Sequence, residues 1–204
     1  AGFALGGPFR RDRSFYFVAF EHQDGEEVIP YTGIDRDGVR GGRYAAPVED
    51  DNLFFRTDFN LGGSHLLMVR LSADDRETAG VNVGGITTPE SGFHLAETDF
   101  GVAATLTSVL TPNVIHEARL LGATSSYDQR ANSDRPGVER PTGIFGGNNL
   151  NRQERDEDRI QLVNNVTWHR GRHTMKLGVD VTRSRTRIGT RFNPMGNFLY
   201  DTDL

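Results

Sequence analysis

The chain has 204 residues, a formal net charge of −5 at neutral pH and no cysteine. Without cysteine it has no disulfide, catalytic thiol or zinc–thiolate site, and its basic residues are not gathered into a stripe that would bind nucleic acid. No apolar run is long enough for a membrane-spanning helix, but the strands of a membrane-spanning barrel are only half apolar and stay possible. The chain starts without an initiator methionine or signal peptide and ends after a loop-like segment, so we expect a piece of a longer protein.

The N-terminal part is predicted to hold one hairpin and then a long loop. A first strand covers about Phe3 to Phe9, a polar turn follows at Arg10–Arg13, and a second strand covers Ser14–His22. Both faces of the second strand are apolar, so its alternation does not tell inside from outside. The stretch Gln23–Asp51 contains five glycines, two prolines and many charges, a composition typical of a loop.

A second hairpin shows a regular alternation of apolar and polar residues. Its first arm, Leu53–Leu61, turns at Gly62-Gly63-Ser64 into a return arm that runs from Leu67 to Asp74. Successive side chains of a strand point to opposite faces, so each arm has one apolar face. A slip of one residue would move Arg56 and Arg70 onto that face, which costs roughly 2–4 kcal/mol per arginine at a bilayer midplane. The register is therefore well specified.

A third hairpin lies between two further predicted loops. The loop Glu77–Gly92 leads into the arms Phe93–Leu110 and Ile115–Tyr127, which turn at Thr111-Pro112-Asn113. A third loop, Asp128–Asp158, is rich in arginine, aspartate, asparagine and glycine.

The clearest hairpin lies between Asp158 and Arg183 and turns at Arg170-Gly171-Arg172. On its first arm Asn164 is the single polar residue among the apolar positions, which are Ile160, Leu162, Val166 and Trp168. On its second arm Met175, Leu177, Val179 and Val181 alternate with Lys176, Gly178, Asp180 and Thr182. A possible ninth strand follows at Asn197–Tyr200.

The connections alternate between short turns and long loops, and several strands exceed the usual length of soluble proteins. This pattern is typical of a transmembrane barrel, with short turns at one membrane surface and long loops at the other. The predicted fold is all-β, a fragment of an antiparallel up-and-down transmembrane β-barrel with about 8–9 strands. A soluble sandwich is the alternative, because its half-buried strands alternate in the same way.

Four segments resemble barrel hairpins of TonB-dependent receptors, in the same order along the chain. The first, Gly6–Phe17 (GGPFRRDRSFYF), resembles the hairpin that opens the barrel in the Oar-like subgroup, whose members often carry a carboxypeptidase-regulatory-like N-terminal domain. The other segments are Arg56-Thr57-Asp58 with Ser64-His65, Thr111-Pro112-Asn113 with Glu117-Ala118-Arg119, and Trp168–Gly178. Each segment is weak evidence alone, but the four together span nearly the whole chain.

The resemblance implies that residues 1–204 form roughly the first third of an outer-membrane barrel of about 22 strands. The plug domain, the TonB box and the C-terminal barrel strands are missing from this sequence. The implied partners are outer-membrane lipid, the plug domain of the same parent chain and, through that chain, the TonB complex. The implied imported ligand is a metal chelate, a glycan or a peptide. No cofactor and no nucleic-acid partner is predicted.

Charged residues on the polar parity of the strands form the candidate site, and we expect them to face the lumen. They are Arg56, Asp58, Arg70, Asp74, Glu117, Arg119, Lys176 and Asp180. Such charges either pair across neighbouring strands and stabilise the wall, or line the path and brace the plug. Substrate recognition is expected in the long loops, which carry variable binding surfaces.

The remaining polar clusters point more weakly to metal or catalysis. His169 and His173 flank a tight turn, and as neighbours in a hairpin they could face each other and bind a metal. His22, next to Glu21 and Asp24, has no nucleophile or second acid beside it, so we predict no enzyme. Asp35–Gly38 matches part of a calcium loop but is better interpreted as a turn. Weak cation candidates are Glu49-Asp50-Asp51 and the pair Asp201 and Asp203. A passive channel or adhesin-like envelope barrel is the alternative function, and a soluble β-rich enzyme is the third.

Overall fold

Eight long strands form one antiparallel sheet, which we call the wall. Strands that follow one another in this sheet along the chain pair with each other. The computed structural model describes residues 1–147 and 152–203. The wall follows the order β1-β2-β3-β4-β5-β6-β9-β10, and β7, β8 and β11 form a second sheet. The strands of the wall are β1 (Gly2–Arg10), β2 (Ser14–Ile34), β3 (Arg40–Gly62), β4 (His65–Val81), β5 (Phe93–Thr111), β6 (Val114–Ala131), β9 (Gln153–Arg170) and β10 (His173–Thr190). The predicted all-β, up-and-down antiparallel fold is confirmed.

The four predicted short turns are present, and all lie at the same end of the wall. They connect β1 to β2, β3 to β4, β5 to β6 and β9 to β10. Gly63 and Gly171 have φ values of 57° and 58°, a left-handed conformation that glycine adopts without a steric penalty. Asp12 adopts φ 61° in the first turn, which aspartate tolerates better than most residues.

The register places the alternating apolar residues of all eight strands on the same face. One continuous row of paired residues runs through Leu5, Val18, Phe55, Leu71, Val102, Gly122, Ile160 and Arg183. We call this side of the wall the apolar face and the opposite side the charged face. Large apolar side chains of the apolar face are open, with Leu177 81% and Ile160 59% exposed. No second layer of the described residues covers them, so this face requires a non-aqueous neighbour.

The strands continue well beyond the predicted ends, so the three loop predictions are wrong in part. Gln23 pairs with Asp50 and Ile34 with Arg40, which makes almost all of Gln23–Asp51 a hairpin. Within the other two predicted loops, 77–81, 128–131 and 153–158 are strand, and 148–151 lie outside the described residues. The alternation of apolar and polar residues stops there, although backbone pairing continues. On β3 the apolar stretch Leu53–Leu61 gives way to charged positions at Asp51 and Glu49.

The second sheet is built from the long connections and the C-terminal tail. It consists of β7 (Gly137–Arg140), β8 (Gly143–Phe145) and β11 (Asn197–Leu199), and β11 runs parallel to β7. The predicted ninth strand therefore exists, but it is wrong as a strand of the wall because it pairs with a loop segment. Among the described residues, no helix is long and apolar enough to cross a membrane.

The second sheet, a 3₁₀ turn at Pro89–Ser91 and the connections around them form what we call the loop end. Thr88, Ser91 and Phe93 are 1%, 1% and 4% exposed there. The wall itself is a single layer, which leaves most of its side chains open on one side. The long connections thus form a packed structure of their own, opposite the short turns.

Candidate functional site at the charged face and the loop end

The wall places all eight predicted site residues on the charged face. Arg56 and Asp58 lie on β3, Arg70 and Asp74 on β4, Glu117 and Arg119 on β6, and Lys176 and Asp180 on β10. Because paired residues share a face, the register brings together side chains that are far apart in sequence.

On β3 and β4 the charged face holds two arginines directly opposite each other. Arg56 pairs in register with Arg70, a like-charge arrangement that is unfavourable in a sheet. Two guanidinium nitrogens of Arg56, Nε and Nη2, donate to the Asp58 carboxylate at 2.9 Å. This two-point contact holds Arg56 along its own strand, while Arg70 forms no ion pair with the described residues.

On β6, β9 and β10 the charges are linked more loosely. The Glu117 carboxylate lies 3.7 Å from Arg119 Nη2 and 3.9 Å from Lys176 Nζ. Asp180 accepts hydrogen bonds of 2.9 and 3.0 Å from Gln161 Nε2 on the neighbouring strand. The Arg119 and Lys176 side chains are 53% and 59% exposed, and exposed pairs of this kind contribute about 0–1 kcal/mol. The backbone ladder therefore stabilises the wall, and the cationic groups stay accessible.

Three carboxylates, those of Asp50, Asp74 and Asp99, lie close together on the charged face. They follow directly on the apolar stretch of β4, which ends at Ala73. Asp74 pairs in register with Asp99 on β5 and with Asn52 on β3. Burial raises the pKa of Asp74 above its usual value, and the negative charges of Asp99 and Asp50 raise it further. An acid whose pKa is raised on folding stabilises the fold below its unfolded pKa, and this contribution is lost as the pH rises through the folded value.

We expect Asp74→Asn to stabilise the protein at neutral pH, because it removes a carboxylate whose charged form is opposed by burial and by two like charges. The gain should disappear in acid, near or below the ordinary aspartate pKa of about 3.9, where Asp74 is protonated. Urea unfolding of the full-length protein at both pH values measures this. Asp75→Asn is the control, because Asp75 lies on the opposite face and accepts a hydrogen bond from Thr98 at 3.1 Å. An equal response of both variants would contradict the expectation.

At the loop end, the carboxylate of Glu90 joins segments that are distant in sequence. It lies 3.0 Å from Arg36 Nη2 and 3.8 Å from Arg135 Nη1. It also accepts hydrogen bonds of 3.1 Å from Ser133 Oγ and from the backbone amide of Gly146. One side chain, 25% exposed, thus connects the β2–β3 turn to both long connections.

Backbone contacts between the same segments are equally close. Thr88 donates from N and Oγ1 to the Ile144 carbonyl at 2.9 Å, and the Ile144 amide donates to the Ile86 carbonyl at 2.9 Å. An added Cβ at Gly33 would lie 2.1 Å from the Ile86 oxygen, and one at Gly143 would lie 2.1 Å from the Ile34 oxygen. Glycine at these two positions is therefore what lets the segments approach.

The C-terminal tail completes the loop end. Asp203 Oδ1 accepts a hydrogen bond of 2.7 Å from Thr142 Oγ1, and the Arg140 guanidinium lies 4.9 Å from the centre of the Tyr200 ring. A cavity of about 390 Å³ lies between these residues and the β2–β3 turn, with Arg36 and Phe145 in its wall.

The weaker candidates have other roles. His169 and His173 do not face each other, because His169 pairs with Thr174 and His173 with Arg170, on opposite faces. His22 contacts its cross-strand partner Asp51 at 2.7 Å and lies within a strand rather than at its end. Asp35 Oδ1 accepts hydrogen bonds from the amides of Asp37 and Val39 at 2.9 and 2.8 Å, so the predicted turn is confirmed. The described residues contain no group of three metal-binding side chains, at Glu49–Asp51 or elsewhere.

One serine–histidine pair was not identified from the sequence. His65 Nδ1 lies 2.8 Å from Ser108 Oγ across β4 and β5. Ser108 is 3% exposed, and within the described part of the chain no carboxylate contacts His65. A nucleophile needs access to its substrate and a base held by a third group, so the pair has the geometry of a satisfied buried hydroxyl.

A family model for the outer membrane beta barrel domain matches residues 41–204. The chain belongs to this outer membrane beta barrel domain family. The protein is therefore located in the outer membrane, and family membership accounts for a wall whose apolar face is left uncovered by the described residues.

The wall of this outer membrane beta barrel domain is similar to that of a solved transporter. The structure of the outer membrane transporter YddB from Escherichia coli matches with a TM-score of 0.70 over 92% of this chain, at 10% sequence identity. At 10% sequence identity, this similarity shows only that the two proteins share a fold. The chain spans 25% of the length of that transporter. No curated protein sequence matches the chain.

Proposed function

We propose that this chain forms part of the wall of a TonB-dependent outer-membrane importer. In this proposal the apolar face meets lipid acyl chains, and the charged face lines the lumen. The parent chain would supply a plug domain and the contact with the TonB complex. The imported ligand would be a scarce metal chelate, glycan or peptide.

The observation that carries the proposal is that eight long strands form a sheet that stays open. Among the described residues, β1 pairs only with β2, and β10 pairs only with β9. A closed barrel of about eight strands has an interior that side chains fill, whereas outer-membrane transporters of about 22 strands have a wide lumen that a plug occupies. An open eight-stranded wall fits a segment of the wider kind. The similarity of its fold to the YddB wall and the four hairpin resemblances support the same conclusion.

Apolar residues on the charged face support a plug in the lumen. Phe15, Phe17 and Leu66 lie there near the short turns and are 46%, 41% and 48% exposed. The Phe17 ring meets the Phe54 ring edge-on at 6.1 Å between centroids. Aromatic side chains facing a water-filled channel would leave apolar surface wet, and a plug packed against them would cover it.

The loop end is where an incoming ligand would first contact this part of the barrel. Its cavity of about 390 Å³ falls in the size range of small-ligand sites, about 300–1,000 Å³. Two guanidinium groups, two carboxylates and a tyrosine around it suit a polar ligand. No set of catalytic residues converges among the described side chains, which favours binding and passage over chemistry.

The test combines two measurements on the purified full-length protein. Importers of this kind bind the periplasmic domain of TonB and, with the plug in place, give no steady ion conductance in a planar bilayer. Binding without conductance would support the proposal. Steady conductance without TonB binding would show a passive channel, and the absence of both would show an envelope barrel of another kind.

A further inference from the structure

The cavity of about 390 Å³ at the loop end, which we call the loop-end cavity, lies where three segments of the chain meet. These segments are the β2–β3 turn, the β7–β8 hairpin and the tail that follows β11. The Ile34 amide donates to the Thr142 carbonyl at 2.9 Å, and the Tyr200 amide donates to the Glu139 carbonyl at 3.0 Å. Because these hydrogen bonds join backbone to backbone, a side chain in the cavity wall can be replaced without separating the segments.

One arginine in the cavity wall, Arg140, has no counter-ion among the described residues. Its Nη1 donates to the backbone carbonyl of Asp203 at 3.0 Å, and its guanidinium stacks on the Tyr200 ring. Its other edge, Nε with Nη2, donates to no acceptor in the described part of the chain, and Nε is buried. Arg56 holds the Asp58 carboxylate with this same edge. A buried charged donor without an acceptor is unfavourable, so Arg140 has the chemistry of an anchor for an added carboxylate.

The second arginine in the wall, Arg36, does not offer another anchor. Arg36 Nη2 lies 3.0 Å from the Glu90 carboxylate, and its guanidinium lies 5.9 Å from the centre of the Phe145 ring. Its charge is therefore already matched within the loop end. The loop-end cavity thus has room for one anionic group, at Arg140.

The remaining lining groups accept hydrogen bonds or are apolar. Asp35 and Asp203 each use Oδ1 within the fold, Asp35 for two turn amides and Asp203 for Thr142. No described donor is bonded to Oδ2 of either residue, so these oxygens are open to N–H groups of a ligand. Val138 and Phe145 add apolar surface. The wall therefore combines one cationic anchor with two acceptors and an apolar side.

We propose that the loop-end cavity binds a short peptide by its C-terminal carboxylate, with Arg140 as the anchor. This inference rests on the proposed import function and selects one of its three ligand classes. A neutral glycan would leave the charge of Arg140 unmatched, and a chelate with several carboxylates would be repelled by Asp35 and Asp203. A peptide carries one terminal carboxylate, N–H groups for the two aspartates and apolar side chains for the rest of the wall. Guanidinium binds a carboxylate through two parallel hydrogen bonds.

The test is calorimetric titration of the full-length protein with the tripeptide alanyl-alanyl-phenylalanine and with its C-terminal amide, which has the same shape without the carboxylate. We expect the unchanged protein to bind the acid about tenfold more tightly than the amide. In Arg140→Gln the two peptides should bind alike, because the group that distinguishes them is gone. The matched control is Arg43→Gln, which removes an exposed arginine of β3 outside the cavity wall and should keep the preference for the acid.

Heat-dependent gel migration shows whether each variant folds. With folding intact, an acid preference that persists in Arg140→Gln, that is lost equally in Arg43→Gln, or that is absent from the unchanged protein would overturn the proposal. Tighter binding of citrate or maltotriose than of the tripeptide would also overturn it, in favour of a chelate or a glycan. TonB binding is measured separately, so a failed peptide test with TonB binding intact leaves the import proposal standing.

Discussion

Replacing Ala104 by arginine is expected to destabilise the full-length barrel by about 2–4 kcal/mol, whereas the same change at the adjacent Ala103 should cost less than about 1 kcal/mol. Ala104 lies on the apolar face between Val69 and Leu120, in the middle of the sheet, so its replacement would place a guanidinium among acyl chains. Ala103 lies on the charged face, where water solvates the new cation. The main cost of Ala103→Arg is repulsion between the new arginine and Arg70, which lies directly opposite.

Urea titration of the two variants folded into lipid vesicles gives the free energies of unfolding. The two positions carry the same residue in the same strand, so β-propensity and backbone effects cancel in the comparison. A large loss at Ala103 with a small one at Ala104 would show that the two faces are assigned the wrong way round. Equal losses would show that both faces pack against protein, and the lipid assignment would then fail.

Replacing Glu90 by glutamine is expected to loosen the loop end without unfolding the wall. The amide NH₂ that replaces one carboxylate oxygen would face the donors of Arg36 or Gly146, so at least one charge-assisted contact becomes a donor–donor contact. We expect a loss of about 2 kcal/mol of local stability, equivalent to roughly thirtyfold faster amide exchange. The exchange rates of the Thr88 and Ile144 amides measure this loss. Their hydrogen bonds join the two long connections and do not involve Glu90.

The matched control for this change is Glu77→Gln. Among the described residues, Glu77 lies close to one basic side chain, His94 at 3.4 Å, and the Glu77 side chain is 57% exposed. Loss of its charge should therefore change exchange little. The Val69 amide in the centre of the wall should exchange at the same rate in both variants. Unchanged exchange at Thr88 and Ile144 would show that the backbone contacts hold the loop end without Glu90.

The wall could be predicted from sequence because its two faces differ in polarity. Wherever one face is apolar and the other polar, as along Leu53–Leu61 or Met175–Val181, the period of two gives both the strand and its face. All eight predicted charged residues consequently lie on one face. The signal vanishes beyond the apolar stretches, because the hairpin that ends at Ile34 and Arg40 carries polar residues on both faces. Backbone pairing continues there without any hydrophobic alternation, and its glycines and charges resemble those of a loop.

The loop end could not be predicted for a different reason. Glu90 gains its role from Arg36, Ser133 and Gly146, each more than 40 positions away in sequence, and no local pattern indicates such contacts. β11 shows a strand-like sequence, but its parallel pairing with β7 depends on how the tail folds back. The arginines of β10 were visible as residues, yet only the register shows that they continue the apolar face.

The apolar stretch of β3 also limits the kind of bilayer that the protein can occupy. Leu53–Leu61 extends about 27 Å along the strand, and at a tilt of about 40° it covers about 21 Å of membrane thickness. Asp51 and Glu49 follow at once on the same face. A thicker bilayer would either draw these carboxylates among acyl chains or thin itself around the barrel, and both cost free energy. Hydrophobic mismatch therefore confines the protein to a thin membrane.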